Sequence, residues 1–223
     1  MAFFSKDFLQ FFIDLAGDNH KDWFDLNRKR YETVVKEPFH HFINHLIFKL
    51  SEIDTSFQNL EAKDCIFRIN RDVRFSKDKA PYKLMVSAII RSGGKKSSNV
   101  NGIYIELCPE YVRVYGGIYE ISGEDLLFFR EGLAEYLSEL QKAYNSNPFK
   151  LSFGSILGEK NKILPAHLKE KAAEEPLIFN KQWYFYHQMD ASSCLQENFT
   201  EKVVELYAIA RPMLLFFEKV KNY

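Results

Sequence analysis

Four runs of β-branched and aromatic residues follow one another at hairpin spacing in the middle of this 223-residue chain. They cover approximately residues 64–75, 84–91, 102–108 and 111–118, and Trp183–His187 has the same character. Val, Ile, Tyr and Phe at this density favour β-strands. Because neighbouring runs are joined by short connections, we predict an antiparallel meander.

Helical periodicity dominates on both sides of these runs. The first fifty residues predict three helices, since apolar side chains recur every three or four positions. A long helix is predicted from Ser122, which can cap it, to about Tyr144. A closing helix is predicted from Thr200 to about Lys219, kinked or divided at Pro212.

These elements predict an α+β fold. It consists of an antiparallel sheet of four or more strands, with the N-terminal helices and the long following helix packed on it. No low-complexity linker and no internal repeat interrupts the chain. We therefore expect residues 1–223 to form a single α+β domain.

Composition narrows the classes of function. The 30 Lys and Arg residues equal the 30 Asp and Glu residues, so the overall positive charge of a protein that coats nucleic acid or anionic membrane is missing. Cys65, Cys108 and Cys194 lie among apolar neighbours and predict buried thiols in a reducing compartment. No segment approaches the ~18 consecutive apolar residues of a membrane span. A cytoplasmic protein without membrane contact is expected.

Six basic side chains lie between Arg68 and Lys83, beside the first predicted strand. If residues 66–75 are extended, successive side chains point to opposite faces. The polar face then carries Arg68, Asn70, Asp72 and Arg74, and the apolar face carries Phe67, Ile69, Val73 and Phe75. The turn that follows adds Lys77, Lys79 and Lys83, and Pro81 fixes one backbone angle within it.

This basic segment has two interpretations. In the first it binds an anion, because arginines offer planar donor pairs to phosphate or carboxylate and lysines add point charges. The predicted ligand contacts are Arg68, Asn70, Arg71, Arg74, Lys77, Lys79, Tyr82, Lys83, Trp23 and Asn27. In the second, Asp72 and Asp78 pair with the bases to lock a strand and turn. Six bases against two carboxylates leave about four positive charges unpaired within the segment, which favours the anion site.

Trp23 and Asn27 enter this set because they share a predicted helical face with Tyr31. They are expected to flank the basic segment and to offer a stacking surface for a base or sugar ring. The general burial of aromatic residues favours the alternative, a stripe in the core.

The ligand predicted from the residues is a phosphorylated small molecule or a nucleotide, and nucleic acid is a partner that net charge does not support. An enzyme acting on such a ligand is an alternative, with Asp72 as catalytic acid, base or metal ligand. Docking of an acidic partner protein is another. His41 and His45 have the spacing of metal ligands but no third ligand, so no metal site is predicted, and no cofactor is identified.

The string from Arg68 to Lys83 resembles the signature of the family catalogued as domain of unknown function 2461, Arg-Asp-x-Arg-Phe-Ser-Lys-Asp-Lys-Thr-Pro-Tyr-Lys. The resemblance extends over nearly the whole chain, through Asn19–Phe24, Gly116-Gly117 and Arg130. Ala80 replaces the usual threonine, and Leu164–Lys169 departs from the more basic version of that segment. The resemblance implies family membership and a fold, and it carries no reaction.

Overall fold

The computed structural model describes residues 2–223, and a four-stranded antiparallel sheet confirms the predicted α+β class. The strands are β1 (Val86–Arg91), β2 (Gly102–Leu107), β3 (Val112–Ile118) and β4 (Trp183–Met189), in the spatial order β1-β2-β3-β4. Side chains of β3 alternate between buried and half-buried positions. One face of this strand therefore lies in the core, while the other is partly open to solvent.

The predicted strand over residues 64–75 is wrong. A short helix, α5 (Ala62–Cys65), is followed only by isolated bridges, Ile66 to Ala88 and Asn70 to Tyr82. Pro81 has no N–H with which to extend the ladder. Asp78 accepts a hydrogen bond from the Ala80 amide at 2.9 Å, so local side-chain bonds replace strand pairing beyond this point.

The chain forms two compact units, and the first comprises the residues up to Ser97 together with Tyr104–Val114 and Gln188–Glu205. Its helices are α1 (Lys6–Gly17), α2 (Lys21–Leu26), α3 (Arg28–Arg30), α4 (Glu37–Ser51) and α5, with a π-helical segment at Tyr31–Lys36. The second predicted helix is therefore interrupted at Asn27. The core of this unit is rich in phenylalanine, because the buried faces of α1 and α4 carry Phe8, Phe11, Phe12, Phe39 and Phe42.

The second unit comprises Ser98–Ile103, Tyr115–His187 and Leu206–Tyr223. It contains α6 (Gly123–Glu135), α7 (Leu137–Tyr144), α8 (Asn147–Phe153) and α9 (Lys169–Glu174). The last helix, α10 (Phe199–Lys221), begins in the first unit and ends in the second. The prediction of a single domain over the whole chain stays a prediction.

Two helix predictions need correction. The long helix expected from Ser122 to Tyr144 is divided into α6 and α7 at Tyr136, whose backbone leaves the helical region at φ −101° and ψ 37°. The Tyr136 ring packs against Tyr223 and under the Lys219 ammonium, and this packing competes with helix continuation. The predicted division of the closing helix at Pro212 is also wrong, because α10 runs through this residue, and the alternative of a kink stays a prediction. Across residues 2–223 no helix combines the length and apolar character that crossing a bilayer requires.

Candidate functional site

Residues 66–83 form a hairpin, here called the basic arm, on the edge strand of the sheet. The Phe67 amide donates to the Ser87 carbonyl at 3.0 Å, which joins the arm to β1. Within the arm, the Lys83 amide donates to Ile69 and the Arg71 amide to Pro81, each at 2.8 Å. The arm therefore begins at the sheet and closes on itself.

Tyr82 anchors the arm to the N-terminal helices. Its ring is only 6% exposed and stacks on Phe24, with 4.0 Å between ring centroids and 17° between planes. The Asn19 side chain accepts from the Tyr82 amide at 3.2 Å and donates to the Tyr82 carbonyl at 2.9 Å. The predicted ligand contact Tyr82 thus lies in the core beside α2, where its ring packs the arm in place.

Two of the six bases form ion pairs inside the arm. Arg74 makes a bidentate pair with Asp72, at 2.9 Å and 2.7 Å, and Arg71 contacts Asp78 at 2.5 Å and the Ala80 carbonyl at 3.1 Å. These pairs are exposed to solvent, where such contacts contribute about 0–1 kcal/mol. They order the loop, as the structural interpretation of the segment requires.

Asp72 is poorly suited to the catalytic role considered from the sequence. Hydrogen bonds from the Arg74 side chain and backbone lower the pKa of this carboxyl, and the Arg68 charge lowers it further. A carboxylate held ionised in this way carries no proton to donate near neutral pH and is a weak base, which disfavours the acid and base roles but not that of metal ligand.

Three other bases of the arm have no such partner. Among residues 2–223, no carboxylate lies within ion-pair distance of Arg68, Lys77 or Lys83. The Lys79 ammonium donates to the Val73 carbonyl at 3.0 Å. The predicted excess of positive charge is therefore a property of the folded arm.

Arg68 and Lys83 belong to the two facing segments of the arm near the sheet, which the hydrogen bond from the Lys83 amide to the Ile69 carbonyl joins. Lys83 is half-buried, with its ammonium 5.6 Å from the centroid of the Phe67 ring. Burial lowers the pKa of Lys83, and the neighbouring Arg68 charge lowers it further. We call these two mutually repelling cations the Arg68–Lys83 site.

Trp23 and Asn27 are placed differently from the basic side chains. The Trp23 ring packs near Phe11, at 5.6 Å between centroids, and the Asn27 amide donates to the Trp23 carbonyl at 2.9 Å. In the described part of the chain, neither side chain makes a hydrogen bond or ring contact with the basic arm. Asn70 is exposed on the arm, in the bridge to Tyr82.

Glu106 was considered from the sequence as a possible counter-charge for the basic segment, but its partners on the half-buried face of the sheet were not predicted. Glu106 is 6% exposed, and its carboxylate lies 3.5 Å from the Tyr104 hydroxyl and 3.8 Å from Arg113. Arg113 also donates to Gln188 at 2.8 Å and stacks on Tyr111. Charged residues alternating with Ile, Leu and Val in β2 and β3 were the available indication of this group.

Residues 2–223 also contain a pocket outside the basic arm. This pocket of about 270 Å³ is lined by Ser56, Asn59, Leu60, Asp64, Ser92 and Gly93, none of which is a predicted ligand residue. No group of three or more His, Cys, Asp or Glu side chains in this part of the chain is arranged to hold a metal ion.

The architecture defines an α+β protein whose antiparallel sheet carries a basic arm on its edge strand. The family model described as "Conserved hypothetical protein (DUF2461)" matches residues 7–216. The chain belongs to this family, as its resemblance to the signature indicated. No curated protein and no solved structure matches it.

Proposed function

We propose that the protein binds a phosphorylated or other anionic ligand at the Arg68–Lys83 site. The proposal is carried by Lys83, a half-buried cation with no carboxylate within ion-pair distance in residues 2–223, and by Arg68, a second cation without such a partner whose charge adds to the effect of burial on the pKa of Lys83. Placing a cation out of water without a partner is unfavourable, and a bound anion removes that penalty. The same anion offsets the repulsion between Arg68 and Lys83.

The ion pairs of the arm serve a different purpose. Asp72 and Asp78 are already engaged by Arg74 and Arg71, so the loop is ordered without help from Arg68 or Lys83. The structural interpretation accounts for four of these charged residues, gives Arg68 only a longer-range attraction to Asp72, and leaves Lys83 unexplained. A guanidinium offers paired donors and an ammonium offers a point charge, and both suit an anion with several oxygens, such as a phosphate group.

We further propose that this binding takes place in the cytoplasm. All three cysteines are free and buried, and burial raises the pKa of each thiol. Such thiols behave as small apolar side chains and suit a reducing compartment.

Thermal denaturation with inorganic pyrophosphate tests the binding proposal. A ligand at one hundred times its Kd stabilises the native state by about 2.7 kcal/mol. For a chain of this size that corresponds to a rise in Tm of about 5–11 °C. Phosphate, nucleoside triphosphates and an acidic peptide serve as comparison ligands.

Two variants locate the site. Arg68→Ala should abolish the rise in Tm, whereas Arg74→Ala, which removes a base already paired with Asp72, should retain it. If no phosphate compound raises Tm, or if Arg68→Ala responds like the wild type, the proposal is wrong. Stabilisation by the acidic peptide alone would instead support docking of a protein partner.

A further inference from the structure

Phe75 is the most exposed large apolar side chain in residues 2–223. Its exposed fraction is 95%, against 87% for Leu26 and Leu151. It had been expected on the apolar face of a strand, but it lies in the loop of the basic arm, residues 72–80, here called the arm tip. Single exposed apolar residues are common on proteins, so exposure alone assigns no role.

Hydrogen bonds and an ion pair within the arm tip hold Phe75 in this exposed position. The Ser76 amide donates to the Val73 carbonyl at 3.3 Å, and the Lys79 ammonium donates to the same carbonyl at 3.0 Å. The Asp72–Arg74 pair lies immediately before Phe75. The loop is thus held by its own bonds in a conformation that leaves the aromatic ring in water, although burial of the ring would be favourable.

The charges around Phe75 point to an anionic partner. The Arg74 guanidinium lies 5.8 Å from the ring centroid, and Lys77 has no carboxylate within ion-pair distance in the described chain. Both carboxylates of the tip, Asp72 and Asp78, are engaged by arginines. An open aromatic ring beside cations is the arrangement by which proteins bind single-stranded nucleic acid, since bases stack on the ring while cations contact phosphates.

We propose that the basic arm binds single-stranded nucleic acid. An unpaired base stacks on Phe75, one backbone phosphate contacts Lys77, and a further phosphate of the same strand occupies the Arg68–Lys83 site. The proposal rests on the function proposed for that site and specifies its ligand class.

The same features disfavour other anionic partners. Binding to a lipid surface grows with the apolar area that is buried in it, and the arm tip offers one exposed ring. An acidic peptide would match the cations, but specific recognition of an apolar side chain needs a pocket, whereas a base needs only the open face of a ring. The neutral net charge of the chain gives no general attraction for nucleic acid, so the attraction must come from the cations of the arm.

Salt dependence gives a first quantitative expectation. Three cations, Arg68, Lys77 and Lys83, contact phosphates in this arrangement. For single strands the slope of log K against log salt is about −0.7 per contact, hence about −2 in total. Raising monovalent salt from about 50 to about 200 mM should therefore weaken binding about twentyfold.

Fluorescence anisotropy with a labelled twelve-nucleotide thymidine strand tests the role of the ring. An abasic strand of equal length keeps the phosphates and removes the bases. Phe75→Ala should weaken binding of the thymidine strand about five- to 150-fold, the range of base–aromatic stacking, and should leave binding of the abasic strand unchanged. Phe75→Trp should restore binding of the thymidine strand.

Leu26→Ala is the matched control, because Leu26 is also highly exposed and lies in the same unit on α2. It should bind both strands as the wild type does, and each variant should unfold at the wild-type temperature. Equal affinity of Phe75→Ala and wild type for the thymidine strand would overturn the proposal. The proposal would also be overturned if neither strand binds and the wild type instead binds phosphatidylserine vesicles or a polyglutamate peptide in a way that Phe75→Ala abolishes.

Pyrophosphate separates the two proposals. If it binds the wild type and fails to bind Arg68→Ala, while neither strand binds, the anion site stands and the nucleic-acid proposal is wrong. If neither pyrophosphate nor a strand binds, both proposals are wrong.

Discussion

Lys83→Met should weaken anion binding while leaving the free energy of unfolding nearly unchanged. Methionine keeps an unbranched apolar stem on the Phe67 ring and removes the ammonium. The lost cation–π contact contributes about 0.5–1 kcal/mol. Against this, the variant removes a half-buried charge and its repulsion from Arg68, the two effects that lower the pKa of Lys83.

Because these contributions oppose each other, the free energy of unfolding should change by less than about 1 kcal/mol. Pyrophosphate affinity should fall about 10- to 150-fold, since a charge-assisted hydrogen bond contributes about 1.5–3 kcal/mol. Urea denaturation measures the first quantity, and calorimetric titration the second. A loss of more than about 2 kcal/mol in stability with unchanged affinity would refute the reasoning and make Lys83 a structural residue.

The free energies of unfolding of the wild type and Lys83→Met should depend differently on pH, because the folded state lowers the pKa of Lys83. The folded-state pKa of Lys83 is lowered, whereas in the unfolded chain it is near the ordinary value of about 10.4. Between these two values the unfolded state binds more protons, so the free energy of unfolding rises with pH. The stability of the wild type relative to Lys83→Met should therefore increase through this window and stay constant below it. A constant difference throughout would contradict burial of the Lys83 charge.

Two further predictions concern the scaffold, and urea denaturation measures both. Gly117→Ala should lower the free energy of unfolding by about 2–5 kcal/mol, because φ is +105° and an added Cβ would lie 2.1 Å from the Trp183 carbonyl oxygen. Gly123→Ala, where no atom lies within 4 Å of the added Cβ, is its control, and equal effects would contradict the steric argument. Tyr82→Ala should cost about 3–5 kcal/mol through loss of the stack on Phe24, while Tyr82→Phe should be nearly neutral. Similar losses in both Tyr82 variants would show that the ring is not the anchor.

The sheet could be predicted from sequence because its strands are rich in Val, Ile, Tyr and Phe, and β3 also follows the period of two of a half-buried strand. In β3 the apolar positions are the buried ones, as the alternation required. The helical character of residues 122–144 was predicted from the sequence, but the break at Tyr136 was not. Packing of the Tyr136 ring overrides the helix propensity of the local sequence.

The position of the basic arm could be predicted from the sequence, but its conformation could not. Alternation holds at its start, where Ile69 is buried and Arg68 and Asn70 are exposed. It fails at Phe75, because loop bonds replace the ladder after Arg71. Periodicity describes regular elements and carries no information about such local bonds.

The partners of the arm were likewise inaccessible from sequence. Tyr82 was expected to contact a ligand, but its backbone forms hydrogen bonds with the Asn19 side chain. These two residues are 63 positions apart in the sequence, so no local pattern indicates the contact. The number of unpaired cations could be predicted by counting charges. Which of the six bases lack a carboxylate depends on the turn geometry that pairs Asp78 with Arg71. Only the folded loop distinguishes Arg68 and Lys83 from the paired arginines.

The most direct test of the anion site is the pKa of Lys83 itself, measured by NMR on lysine labelled at the ε-carbon. The Lys83→Met variant assigns the resonance. In the free protein this pKa should be lower than that of exposed lysines, and saturating pyrophosphate should raise it, because a bound anion favours the charged ammonium. A Lys83 pKa that does not change at pyrophosphate concentrations that raise Tm would place the anion elsewhere and contradict the account.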